Sequence, residues 1–260
     1  MNCKNCNIEL QKQDDYCRSC GGRVIRNRLT LKNLFEHLSE TFFNYDNKLL
    51  RTITNLLRKP EDVIVGYING VRKKYVNPIS FFGLAITLSG LSVFILKKFY
   101  LQYLDYSQLF EGVEASQQIF DATSSNALEY NSLIYSFIVP FFAIISWVVF
   151  LDKKFNFTEH VIIYLYSMSL MSIFSVLLSQ TVLLLVPDQF LLYSILTWPL
   201  MFIYHAYILK RIFKLSIGSL ILKSFIFFAL FFVLYMGLSI LAFLIMLATG
   251  TIDLESLKPK

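Results

Sequence analysis

Cysteine is scarce in this chain and confined to one place: four residues in 260, all within the first twenty. No thiol remains elsewhere for a disulfide framework or a catalytic nucleophile. Charge is also sparse, at 16% Asp, Glu, Lys and Arg, against 55% apolar residues and a mean hydropathy of +0.54. Such a balance lies outside the soluble range and inside the membrane class. A secretory leader is not expected in the first twenty residues, which are polar and cysteine-bearing. Also missing are a Walker loop, a G-x-S-x-G elbow, an H-E-x-x-H pair and any paired-aspartate motif, so enzymes of those classes are not expected.

What the N-terminus does hold is Cys3-Lys4-Asn5-Cys6 and Cys17-Arg18-Ser19-Cys20, followed by Gly21-Gly22. A C-x-x-C turn presents two thiolates to one ion, and two such turns complete the tetrahedral set of a closed structural zinc site. Asn7 to Tyr16 is long enough for a minimal hairpin, with Ile8, Leu10 and Tyr16 as its few apolar members. A segment so small has almost no core, so metal ligation must supply most of its folding energy. Two disulfides or a redox pair are the competing readings. No βαβ pattern surrounds the cysteines, which favours a zinc ribbon over residues 1–24. Four thiolates leave no open position on the metal, so its role is architectural.

Five runs of about twenty apolar residues follow: Ile79 to Leu96, Ser132 to Leu151, Val161 to Val186, Phe190 to Leu209 and Ser219 to Ala248. The third and fourth are separated only by Pro187-Asp188-Gln189, which demands an antiparallel helical hairpin. The expected fold is therefore an all-α integral membrane protein of about five transmembrane helices over residues 78–250, with the small zinc ribbon in front. Leu101 to Tyr130 carries Asp105, Glu111, Glu114, Asp121 and Glu129 and no Lys or Arg, which assigns it to the outside. Lys153, Lys154, Lys210, Arg211, Lys214 and Lys223 mark the opposite side as cytoplasmic. Lys97 and Lys98 run against that rule. The expected setting is a bacterial inner membrane, with the N-terminus cytoplasmic and the C-terminus outside.

Residues 29–77 read as a basic amphipathic region. Leu31, Leu34, Phe35, Leu38 and Phe42, then Leu49, Ile53, Leu56 and Leu57, recur at helical spacing. Asn44-Tyr45-Asp46 separates two pieces, with Asp46 as cap of the second. Pro60 followed by Glu61 and Asp62 starts another helix that Gly70 stops. Arg51, Arg58, Lys59, Arg72, Lys73 and Lys74 belong to a local excess of eleven basic over five acidic residues between 21 and 78. Beside a membrane that excess suits anionic lipid head groups, and the six named residues are the expected lipid- or partner-facing set. An ordinary solvated basic face is the plainer alternative, and no nucleic-acid module is recognisable.

Phe42-Phe43-Asn44-Tyr45-Asp46, Leu50-Arg51-Thr52-Ile53, Arg58-Lys59-Pro60, the run Tyr67 to Pro78 and Glu159-His160 carry a resemblance. With the zinc ribbon they resemble the bacterial membrane family called domain of unknown function 3667. That resemblance implies a cytoplasmic ribbon and several spans, and no established activity. A weaker likeness, of topology alone, is to Yip-type five-span membrane proteins.

No Asp, Glu, Lys or Arg is expected in the middle of a span, where ion-coupled transporters keep theirs. Glu159 and His160 open the third span, and Tyr204 and His205 close the fourth. The hairpin sets both histidines at similar depth, so a shared acid/base or weak metal site is one reading. Interfacial anchoring is the commoner use of such residues. Ser169, Ser172, Ser175 and Ser179 form one small polar face, which suits close packing better than a water path. The leading functional expectation is non-enzymatic: ribbon and basic helices bind a cytoplasmic protein partner or the membrane surface. The alternative is a small-solute or lipid transporter using the third and fourth spans. The lipid bilayer is the one partner implied throughout, and a homo-oligomer is compatible with both.

Overall fold

The computed structural model describes residues 2–11, 13–22, 24, 48–100 and 131–248. The expected helix over 31–42, its break at Asp46, the acidic 101–130 segment and the C-terminal tail lie outside the described residues. The chain divides into two compact units, 1–48 and 49–260.

In the first unit Asn2 and Glu9 form an antiparallel bridge that flanks the first cysteine pair, outside the stretch between the pairs where a hairpin is expected, and Tyr16 sits at a further bridge position. Cys3, Leu10 and Cys17 are its buried apolar residues, with Cys6 and Val24 against them.

The second unit is helical, with no strand among the described residues. Its helices are α1 (Lys48–Arg58), α2 (Pro60–Ile68), α3 (Pro78–Phe99), α4 (Asn131–Val149), α5 (Phe157–Leu185), α6 (Phe190–Phe213) and α7 (Ile217–Ala248). All five apolar runs are helices, within a few residues of the expected ends. α3, α5, α6 and α7 are long and apolar enough to cross a bilayer, and α4 is the shorter fifth. This is the architecture of a multi-pass membrane protein.

Local chemistry sets the helix ends. Asn77 caps α3 by accepting from the Ile79 N–H at 2.9 Å, and Pro78 occupies the first turn, where its missing N–H costs nothing. α5 opens with a capping box: Asn156 Oδ1 accepts from the Glu159 N–H, and the Glu159 carboxylate accepts from the Asn156 N–H. α2 ends in a Schellman turn. Gly70, at φ +97°, lets its N–H reach the Tyr67 carbonyl while the Val71 N–H reaches Gly66.

α5 is the hub, packed against α3, α4 and α6, while α7 contacts mainly α4. α1 and α2 lie on α6 and α5 through Leu56, Val63, Ile64 and Tyr67, all buried in one core with Phe81, Tyr166, Ile208 and Ile212. The serines expected on one face of α5 make hydrogen bonds within and between helices, and Ser172, Ser175 and Ser179 also border a cavity. Ser169 and Ser179 donate to carbonyls one turn back, Ser92 pairs with Ser179, and Tyr193 donates to the Ser175 carbonyl at 2.6 Å.

Candidate functional site

The two cysteine turns are copies of one backbone design. In the first, the Cys3 N–H donates to Ile8 O and the Asn7 N–H donates to Cys3 O, both at 2.8 Å. In the second, Cys17 N–H to Gly22 O and Gly21 N–H to Cys17 O repeat those bonds at the same length. The fifth residue of each is left-handed: Asn7 at φ +59° and Gly21 at φ +67°. Asparagine is among the few side chains that tolerate this region, so the first turn manages without the glycine that announces the second. The copies meet closely, and a Cβ on Gly22 would stand 2.6 Å from the Asn5 side-chain nitrogen.

The four Sγ atoms lie within 4.8 Å of one another, with Cys3 to Cys20 at 3.6 Å and Cys6 to Cys17 at 3.5 Å. A disulfide needs about 2.0 Å. A tetrahedral ion bound at about 2.3 Å from each sulfur sets edges near 3.8 Å, so the cluster fits a metal ion. Electrostatics agree. The N–H groups of Cys20 and Ser19 hold the Cys17 thiol down at about 6, and those of Asn5 and Cys6 lower Cys3. At Cys6 the Ile8 N–H also lowers the thiol, but desolvation and the three other sulfurs outweigh it and push it up to about 12. Four sulfurs this close are able to share one cation, which would hold all of them as thiolates.

A second constellation fastens α1 and α2 to the spans. Tyr204 Oη donates to Leu56 O, Tyr207 Oη to Leu57 O and Arg58 O, and Tyr166 Oη to Val76 O at 2.7 Å. The first two satisfy carbonyls at the end of α1, which have no partner inside the helix. Arg211 makes a two-point ion pair with Glu61. The buried Thr52 hydroxyl accepts from the Val76 N–H at 3.0 Å. Of the six basic residues singled out from sequence, Arg72 lies over the Tyr67 ring at 4.1 Å and Lys74 pairs with Asp62 at 3.2 Å. Arg51 is half-buried, while Arg58, Lys59 and Lys73 are exposed.

The four residues of the polar end do not converge on one point. Glu159 is turned to its cap. His160 is fully buried, with Nδ1 2.9 Å from Ser146 Oγ and rings of Phe150, Phe155 and Phe213 around it. His205 stacks on Tyr164, centroids 5.6 Å apart, and its Nδ1 is 2.7 Å from Met201 O. Tyr204 meets His205 edge to face but sends its hydroxyl to α1. Ser146 and Tyr164 had no signal in the sequence, since each looks like an ordinary residue of an apolar helix. Lys223, counted among the cations of the basic side, stands in the first turns of α7, bonded to Val149 O and Asp152 at 2.8 and 2.6 Å.

Residues 46–90 match the family DUF3667, described as a protein of unknown function. The matched stretch covers α1, α2 and the first half of α3, with Thr52, Glu61 and Val76 of the clamp inside it. It bears out the resemblance carried by the D-x-x-L-L-R-T, R-K-P and G-x-R-x-x-Y-x-x-P elements. No curated protein and no solved structure matches the chain.

Proposed function

We propose that this protein is a membrane-anchored binding module: its spans hold a zinc-pinned head at the cytoplasmic face of a bacterial inner membrane, where head and basic helices engage a cytoplasmic protein. The observation that carries this reading is the pair of identical turns that bring four sulfurs within one coordination sphere. All-thiolate sets select soft or borderline ions, and zinc is the redox-inert choice for a structural role. A closed sphere offers no position for water or substrate, so the head acts through its surface. Arg58, Lys59 and Lys73, exposed beside the spans, supply charge toward an acidic partner or anionic head groups.

The test uses the full chain purified in mild detergent. Metal analysis is expected to return one zinc per chain. A defined cytoplasmic protein is expected to co-purify with the native chain and to be lost from Cys17→Ser/Cys20→Ser at equal membrane abundance. Retention of the same partner by that variant would overturn the reading. Transport is the second reading. It is favoured by a cavity of about 520 Å³ between α3, α4, α5 and α6, lined in part by Ser89, Ser92, Ser172, Ser175 and Ser194. Solute or lipid flux in reconstituted vesicles, unaffected by the cysteine variant, would select it.

A further inference from the structure

Tyr164 and His205 line a cavity of about 50 Å³ among α4, α5, α6 and α7, part of about 490 Å³ of unfilled space counting its mouth. Both residues are buried, at 1% and 8% exposure, and neither Tyr164 Oη nor His205 Nε2 has a hydrogen bond of normal geometry, the Ser146 hydroxyl standing near Tyr164 Oη without completing one. Buried polar atoms are nearly always bonded, so two orphans on one cavity wall call for a partner. Such a cavity holds about three or four waters, or the head of a larger molecule.

The chemistry of the wall narrows that partner. Met201 O can only accept, so the His205 Nδ1 beside it carries the hydrogen, and Nε2 of the neutral ring presents a lone pair. That lone pair needs a donor, while the Tyr164 hydroxyl can donate. An O–H group carries both the donor and the acceptor that these two atoms lack. Charge does not enter: Lys223, at the rim, is spent on Asp152, Val149 O and the Phe150 ring. An anion or a cation therefore finds no free counter-charge. The remaining wall is aromatic, from Phe142, Phe150, Phe202, Phe227 and Phe228. Phe228 is 43% exposed and closes against Phe202, with centroids 4.8 Å apart, at the seam between α6 and α7.

We propose that the Tyr164–His205 pair is a binding site for the neutral hydroxyl head of an amphiphile that enters between α6 and α7. The site is independent of the head and of any partner it binds.

Full-length protein in detergent, titrated with 4-fluorophenol and with 4-fluorotoluene, tests this by ¹⁹F NMR. The two probes have nearly the same shape and differ in the O–H. Saturable binding of the phenol at least tenfold tighter than the toluene is expected, because a site built around a hydroxyl rejects the analogue lacking it. His205→Phe and Tyr164→Phe are each expected to erase that preference. In the native chain, the ¹⁵N resonance of His205 Nε2 is expected to move with phenol and stay still with toluene, a readout that survives if a variant fails to fold. Equal affinity for both probes, an unmoved nitrogen, or an unchanged preference in the folded variants would overturn the site.

Discussion

Three buried residues, two of them cysteines, form the apolar core of the head, whereas the helical unit buries nineteen in its main cluster among the described residues. The head therefore has little burial to set against the entropy of ordering its chain, and a metal ion held by its four sulfurs, as proposed above, would supply the rest. The helical unit needs no such help, since its core, its caps and a set of tyrosine hydroxyls all agree. Stability is concentrated at four atoms in one unit and distributed over helices in the other.

Removing the metal should separate the two most sharply. A strong chelator is expected to collapse the amide dispersion of residues 2–22 in NMR, a loss on the order of 10 kcal/mol in apparent folding energy. Far-UV circular dichroism, dominated by α1 to α7, should hardly change. A head that keeps its dispersion without metal would break the contrast.

The reverse experiment strikes the distributed side. Phe81 is fully buried where α3 meets Tyr166. Phe81→Ala is expected to cost about 3–5 kcal/mol in denaturant or steric-trap unfolding, while metal content stays at one ion per chain. A smaller break comes from Thr52→Val, which keeps the shape but leaves the Val76 N–H without its acceptor. About 1–3 kcal/mol is expected by the same measurement.

The mildest effect is electrostatic. The Arg211 guanidinium hydrogen-bonded to Glu61 holds that carboxyl below its ordinary value of 4.5. Its folded form is thus favoured when charged, so the contribution is present above that value and fades as pH falls below it. The pair is 36% to 41% exposed, which limits the effect to less than about 1 kcal/mol. Acid titration of thermal stability should show this slope in the native chain and lose it in Glu61→Gln.

Much of this was readable before any coordinates. Five long apolar runs become five helices because a helix is one of the few ways to satisfy backbone polar groups in hydrocarbon, whatever the neighbours do. Pro60 and Gly70 punctuate α2 for reasons held within a few residues. The C-x-x-C spacing announces a four-cysteine cluster able to hold a metal ion, because the turn itself sets the distance between sulfurs. Asn7 was not readable in the same way, as an asparagine in a polar stretch is compatible with many conformations.

Contacts that span long separations were hidden altogether. Tyr166 reaches Val76, Tyr204 and Tyr207 reach the end of α1, and Lys223 reaches back to Asp152 across seventy-one residues. In sequence Tyr204 stands at the end of a span and Lys223 is one of several cations on the basic side, with nothing to indicate either contact. Likewise Glu159 next to His160 suggests a pair, yet the capping geometry turns the carboxylate to Asn156 and leaves the imidazole to Ser146.

Length, hydropathy and cysteine spacing, by themselves, determine a helical membrane protein with a four-cysteine cluster, because each depends on forces acting within a turn or across a bilayer. Which polar groups are satisfied, which are left bare at Tyr164 and His205, and how α1 and α2 are clamped to the spans depend on side chains brought together from distant parts of the chain. Only the packing of helix against helix decides those.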